Sequence, residues 1–236
     1  MAATPTPKRR PDPLGLPPLD GAPDGPFAIA LSAGADSTAL LVACARLWPR
    51  WAHAIHINHG LQVAAADFEW HARHLCQRLQ VPLVVVHVQA RNSAGQSPEE
   101  AARSARYRAL AHAAQTDFAA PLHAVWLAQH AQDQAESVVL AWSRGAGLSG
   151  LAAMPVRFKR HGVDFVRPWL NQSGHDLRLA LRRLGVPWVE DPTNTSTVYT
   201  RNRIRHQVLP VLEQALPGSL HTLVRTARHA AQAMQL

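Results

Sequence analysis

Four short apolar runs, each followed by a helical pattern, constrain this chain more than any other feature. The runs are Phe27–Leu31 (FAIAL), Ala52–Ile57 (AHAIHI), Leu83–Val88 (LVVVHV) and Ala124–Ala128 (AVWLA). The segments after them carry helical periodicity over Ser37–Leu47, about 64–79, 98 to about 114, and about 132–144. Ser97-Pro98-Glu99-Glu100 opens the third helix with a capping box, and Pro98 suits its first turn. Strands this apolar, separated by helices, predict an α/β fold: a parallel sheet flanked by helices on both faces. Such a sheet receives ligands at the carboxyl ends of its strands. A hydrophobic share of 47% in 236 residues suffices for the core.

The ends of the chain read differently. Residues 1–26 hold eight of the eighteen prolines, with Gly and Asp between them, too little apolar surface to order a segment. We expect a flexible tail over 1–24, one domain over 25–217, and a C-terminal helix or the start of a truncated second module over 218–236. Past Gly145 the pattern loosens. Gly145, Gly147 and Gly150 make a loop, Phe165–Arg167 reads as an edge strand, and helices follow over about 173–184, 201–216 and 219–236.

No apolar run is long enough to span a bilayer, and no apolar stretch follows Lys8, Arg9 and Arg10 as in a secretory signal, so the expected compartment is the cytoplasm, away from any membrane. Cys44 and Cys76 sit in apolar helical patterns and form no C-x-x-C; they read as small buried hydrophobes. The formal charge of +8 suits a polyanion, and equally a genome that favours arginine, since all cations but Lys8 and Lys159 are Arg. Fourteen histidines include no H-E-x-x-H.

Four polar clusters fall at strand ends. In Ser32-Ala33-Gly34-Ala35-Asp36-Ser37, small residues let backbone N–H groups face an anion at a helix start. Asp36 would need a Mg2+ between itself and phosphate. The same turn also reads as an ordinary N-cap. The loop has no lysine and fits neither G-x-x-x-x-G-K-[ST] nor G-x-G-x-x-G. His56, Asn58 and His59 could meet a base or ribose, or form a polar turn at Gly60. Asp133 and Glu136 share one face of a helix start, suited to Mg2+, to an ammonium, or to the helix dipole alone. Arg201 and Arg205 lie one turn apart after the turn Asp191-Pro192-Thr193-Asn194, as a phosphate fork or a solvated basic face.

The opening turn resembles the S-G-G-x-D-S pyrophosphate loop of the N-type ATP pyrophosphatases, the PP-loop superfamily of adenine nucleotide alpha hydrolase-like fold. Within it, the chain is similar to the tRNA(Ile)-lysidine synthase family in LSAGADSTALL, HINHGLQ, EEAARSARYRAL, AQHAQDQAESVVL with RGAGLSGLAAM, and EDPTNTSTVYTRNRIRHQVLPVL, spanning residues 27 to about 212. The resemblance implies a ligase that uses ATP and Mg2+. It would adenylate the C2 oxygen of the wobble cytidine in an isoleucine tRNA with a CAU anticodon, and free L-lysine would then displace AMP. It leaves room for a homodimer.

By position, Ser32, Ala33, Gly34, Ala35, Asp36 and Ser37 would bind pyrophosphate, with Asp36 near Mg2+. Asp36, Asp133 and Glu136 would be catalytic, the acidic pair holding lysine's ammonium or the metal. His56, Asn58, His59, Arg103, Arg106, Tyr107, His130, Arg201, Asn202 and Arg205 would contact nucleotide or tRNA. The chain departs from the pattern at Ala33, where glycine is usual, at Gln129, where histidine is common, and at Gln132, where aspartate is common. Alanine is tolerable at 33 while φ is negative and strained by ~1 kcal/mol or more at positive φ. Little chain follows residue 217, where many members append tRNA-gripping domains; we expect weaker tRNA selection by this chain. Rival readings are a tRNA thiolase, which would want catalytic cysteines, and a nucleotide- and RNA-binding module without catalysis.

Overall fold

The computed structural model describes residues 15–58, 65–88 and 98–235. Six strands form one sheet in the order β3-β2-β1-β4-β6-β5. Strands β1 (Phe27–Ala30), β2 (Ala52–Asn58), β3 (Leu83–His87), β4 (Ala124–Trp126) and β6 (Val163–Val166) run parallel, and β5 (Arg157–Arg160) is antiparallel to β6. Ile29 of β1 is flanked by Ala54 of β2 and Trp126 of β4. The strand order therefore reverses between β1 and β4, which opens a crevice at their carboxyl ends.

Helices cover both faces. On one, α1 (Ala35–Leu47), α2 (Ala65–Leu79) and α6 (Gly174–Arg183) bury Leu40, Leu41, Leu75, Leu177 and Leu181 against Phe27, Trp126 and Trp169. On the other, α3 (Pro98–Thr116) buries Tyr107 and Leu110 against Ile55, Val125 and Phe165. A smaller cluster joins Ala135 and Val139 of α4 (Ala131–Trp142) to Ile204 and Leu209, with Leu220 and Leu223 of α9 (Ser219–Ala233) packed on it. The remaining helices are α5 (Leu148–Leu151), α7 (Thr200–Arg203) and α8 (Leu209–Ala215), with a 3-10 turn over Pro192–Thr195.

Two expectations are corrected. The segment Phe165–Arg167 does not form an edge: β6 is internal, and β5 is the edge. His161 and Gly162, at φ 50° and 80°, make the tight turn that folds β5 back on β6, as a type I′ hairpin requires. The charges of Arg157, Lys159 and Arg160 guard that edge. The flexible tail expected over 1–24 is docked from residue 15 onward. Leu16 and Leu19 are buried in the core, Asp20 N–H donates to the Pro168 carbonyl at 3.0 Å, and Trp169 Nε1 donates to the Pro17 carbonyl at 3.3 Å. Two leucines sufficed where composition alone argued for disorder. The capping role expected of Ser97 lies outside the described residues, as do His59 and Gly60.

Candidate active site

A cleft of about 550 Å3 opens at the β1–β4 crevice, a size suited to a nucleotide-sized ligand. One wall is the turn after β1. Ser37 Oγ accepts the Ser32 N–H at 3.1 Å and donates to the Gly34 carbonyl at 3.1 Å, with Ser32 Oγ 2.9 Å away. The serines thus hold the turn in shape, and the first N–H groups of α1 have no intrahelical acceptor. Ala33 takes φ 66° and is buried. The strained alternative weighed for this position is the one realised. The Ala33 carbonyl accepts the Val189 N–H at 3.0 Å, pinning the strand-like segment that brings Glu190 and Asp191 to the cleft.

The facing corner is built of charge. His130 Nε2 lies 3.4 Å from Asp36 Oδ2 and 3.6 Å from Asp133 Oδ2, so the two acids expected at strand ends meet across one imidazole. Asp133 caps α4 by accepting the His130 backbone N–H at 3.0 Å, as the plain helix-cap reading expects. Its other oxygen accepts from Arg205 at 2.9 Å, and Arg205 Nε donates to Glu136 Oε1 at 2.5 Å. The cation between Asp133 and Glu136 is therefore the chain's own Arg205. Glu136 is buried and does not border the cleft; it backs Arg205, which does.

Arg205 reaches the corner from a π-helical turn over Ile204–Val208. Pro210 explains that turn, because it has no N–H to donate to the His206 carbonyl and its ring crowds that oxygen. Burial alone would raise the Asp36 carboxyl, but His130, Arg178 and Arg205 outweigh it and hold the group below its ordinary value. Burial would lower His130; Asp133 and Asp36 overcome it and raise the imidazole. Burial raises the Glu136 carboxyl more than Arg205 lowers it.

Asp36 Oδ1 is buried without a hydrogen-bond partner. That oxygen fits a Mg2+, which takes one or two carboxylates and fills its shell with phosphate and water oxygens. Among the described residues no three His, Cys, Asp or Glu side chains gather as a full protein cage. Asp36 is the residue that would hold the ion.

The remaining expected contacts divide. His56 and Asn58 border the cleft, but the ring of His56 bonds the Leu31 carbonyl at 2.8 Å, and Asn58 Nδ2 donates to Glu69 at 2.8 Å. Arg106 and Tyr107 border it too. The Tyr107 ring lies between the guanidinium groups of Arg103 (5.1 Å) and Arg160 (4.7 Å), and its hydroxyl accepts from Arg167 at 3.3 Å. Arg201 is within electrostatic reach of Glu136 and Arg106 but does not border the cleft. Asn202 braces the preceding loop: its amide nitrogen donates to the Thr193 and Ser196 carbonyls at 2.8 and 2.9 Å.

Two site residues escaped the sequence reading. Arg178 of α6 borders the cleft with a nitrogen 3.6 Å from Asp36 Oδ2, so the lysine-free loop receives its cations from α6 and from the π-turn. Arg167 is buried behind Gln129 and Tyr107. The signal for Arg178 was its position in the first turns of a helix that begins just past β6, at the ligand-binding end of the sheet.

Residues 17–212 match the family model of the ATP-binding PP-loop domain. The chain belongs to the PP-loop family. This PP-loop chain is 52% identical over 208 residues to a tRNA(Ile)-lysidine synthase of Polaromonas naphthalenivorans, covering 88% of the chain and 62% of the relative. It is 41% identical over 216 residues to a tRNA(Ile)-lysidine synthase of Burkholderia mallei, covering 90% of the chain and 44% of the relative. It thus spans less than two thirds of these curated relatives. Among solved structures, the U34-tRNA thiolase NcsA of Methanococcus maripaludis, with its [4Fe-4S] cluster, superposes with a TM-score of 0.72 at 17% identity, covering 88% of this chain and 73% of that one. That likeness concerns the fold alone.

Proposed function

We propose that this PP-loop chain carries the active site of a tRNA(Ile)-lysidine synthase, joining free L-lysine to C2 of the wobble cytidine in isoleucine tRNA with a CAU anticodon. The observation that carries the reading is one convergence. The serine-braced loop, Asp36, Asp133 and Arg205, drawn from three separate stretches of sequence, border a single nucleotide-sized cleft. Relatives of that name at up to 52% identity support it.

In this reaction the C2 oxygen of cytidine attacks the α-phosphorus of ATP and pyrophosphate leaves. An amine of lysine then attacks C2, the C2–O bond breaks, AMP departs with the oxygen, and the amine loses a proton. The N–H groups at the start of α1, with Arg178 and Arg205, neutralise the pyrophosphate end. A Mg2+ held by Asp36 would add charge neutralisation there. The arginine wall around Tyr107 suits RNA phosphates, and the acids Asp133, Glu190 and Asp191 attract the cationic amino acid. Holding the reactants together accounts for much of the acceleration.

A thiolase reading is disfavoured by the cysteines. Both are buried away from the cleft, and burial pushes the Cys76 thiol up to about 12 and that of Cys44 well above its ordinary value. A thiolate nucleophile needs the opposite environment. The test is mass spectrometry of nucleosides from CAU tRNA incubated with the chain, ATP, Mg2+ and lysine. Lysidine is the expected product. Unchanged cytidine with an active tRNA substrate would exclude the reading, and a thiolated base would favour the rival.

A further inference from the structure

We propose that Gln129 is a substrate-binding residue whose amide nitrogen donates to a phosphoryl oxygen of the bound nucleotide, and that Arg167 is the positioning residue that turns it there. The inference rests on the PP-loop nucleotide site but not on lysine or tRNA as co-substrates.

Arg167 is 3% exposed, and no carboxylate pairs with it among the described residues. Its guanidinium donates instead to three neutral acceptors: Gln129 Oε1 at 3.1 Å, the Pro155 carbonyl at 2.7 Å and the Tyr107 hydroxyl at 3.3 Å. The Phe158 ring stacks on it at 4.3 Å. A buried charge whose hydrogen bonds all go to neutral groups is costly, and a well-packed apolar side chain is often the more stable choice. What the guanidinium adds is orientation. Arginine has only donors, so the amide must present its oxygen to Arg167 and its NH2 to the other side. Gln129 is half-buried and borders the cleft, and its nitrogen has no protein acceptor among the described residues. It directly precedes His130, whose ring faces Asp36, and Gln129 and Asp36 line the same cleft. A neutral amide can bind an anion there without taking its proton.

The experiment measures ATP affinity by titration calorimetry in the presence of Mg2+, together with the melting temperature. Gln129→Glu gives Arg167 a carboxylate, so the melting temperature should stay at or above that of the parent chain, while ATP binding weakens by about tenfold to a hundredfold. Gln129→Met removes the donor without adding charge and should weaken binding by about tenfold. Gln129→His keeps a ring N–H and should recover part of the affinity. A merely structural glutamine predicts that Gln129→Glu binds ATP normally; affinity within twofold of the parent overturns the proposal. So does normal binding by Gln129→Met, because charge repulsion alone would then explain the glutamate variant. Failure to form lysidine would leave these affinities unaffected and would count only against the reading of the overall reaction.

Discussion

The two walls of the cleft are made by different means. The loop after β1 is held by its own backbone and two serines within six residues. The opposite corner is held by side-chain charges, and Arg205 joins it from 69 positions beyond Glu136. The difference is one of vulnerability. The loop depends on local φ and ψ, and the corner depends on a distant segment arriving intact.

Asp36 belongs to both walls, so its neutralisation should have the largest effect. Asp36→Asn is expected to lower tRNA-dependent pyrophosphate release at least ~100-fold while the circular dichroism spectrum is retained; normal turnover would remove Asp36 from the site. Next comes Arg205→Ala, which leaves Glu136 buried without its cation. Breaking such a pair costs about 3 kcal/mol, measurable by urea denaturation, and Glu136→Gln in the same chain should restore part of it. If the single change is silent, the corner is not held by charge. On the loop side, Ala33→Val puts a β-branched side chain at φ 66° in a buried position and should cost about 2 kcal/mol. Ala33→Gly should stay within ~1 kcal/mol of the parent, since relief of the left-handed strain is offset by a lost buried methyl and a more flexible unfolded chain.

The smallest effect concerns Glu69, which orders Asn58 at a third side of the cleft. Hydrogen bonds from Asn58 and Arg73 lower its carboxyl from 4.5 to about 2. The stability this contributes is present above pH 4.5 and is lost as pH falls through about 2. Glu69→Gln should flatten that acid limb in a plot of melting temperature against pH. The same limb in both chains would show that Glu69 contributes nothing.

The sequence made the parallel sheet legible because β1 and β4 are wholly apolar and almost wholly buried. It made the cleft legible because residues at the carboxyl ends of those strands must converge. It did not reveal β5, whose RFKR reads as loop until the His161–Gly162 turn is recognised. The docked segment at 15–24 was hidden by proline content, although Leu16 and Leu19 carried the opposite signal. Within the site, residue types put Asp36 and Asp133 at strand ends, where both border the cleft, but gave no sign of the burial of Glu136 or the inward turn of Arg167. Those depend on what packs behind the cleft, which local patterns do not encode.

The wide turn at Ile204–Val208 has one more consequence. It places an additional residue within one helical rung, so the face presented after it is rotated by about 100° relative to a regular helix. Deleting a single residue there would turn Arg205 by that angle relative to α8, away from both acids. A change that conserves every charged group would then empty the corner as surely as removing one, and the proline six residues downstream of Ile204 is what keeps the register from healing.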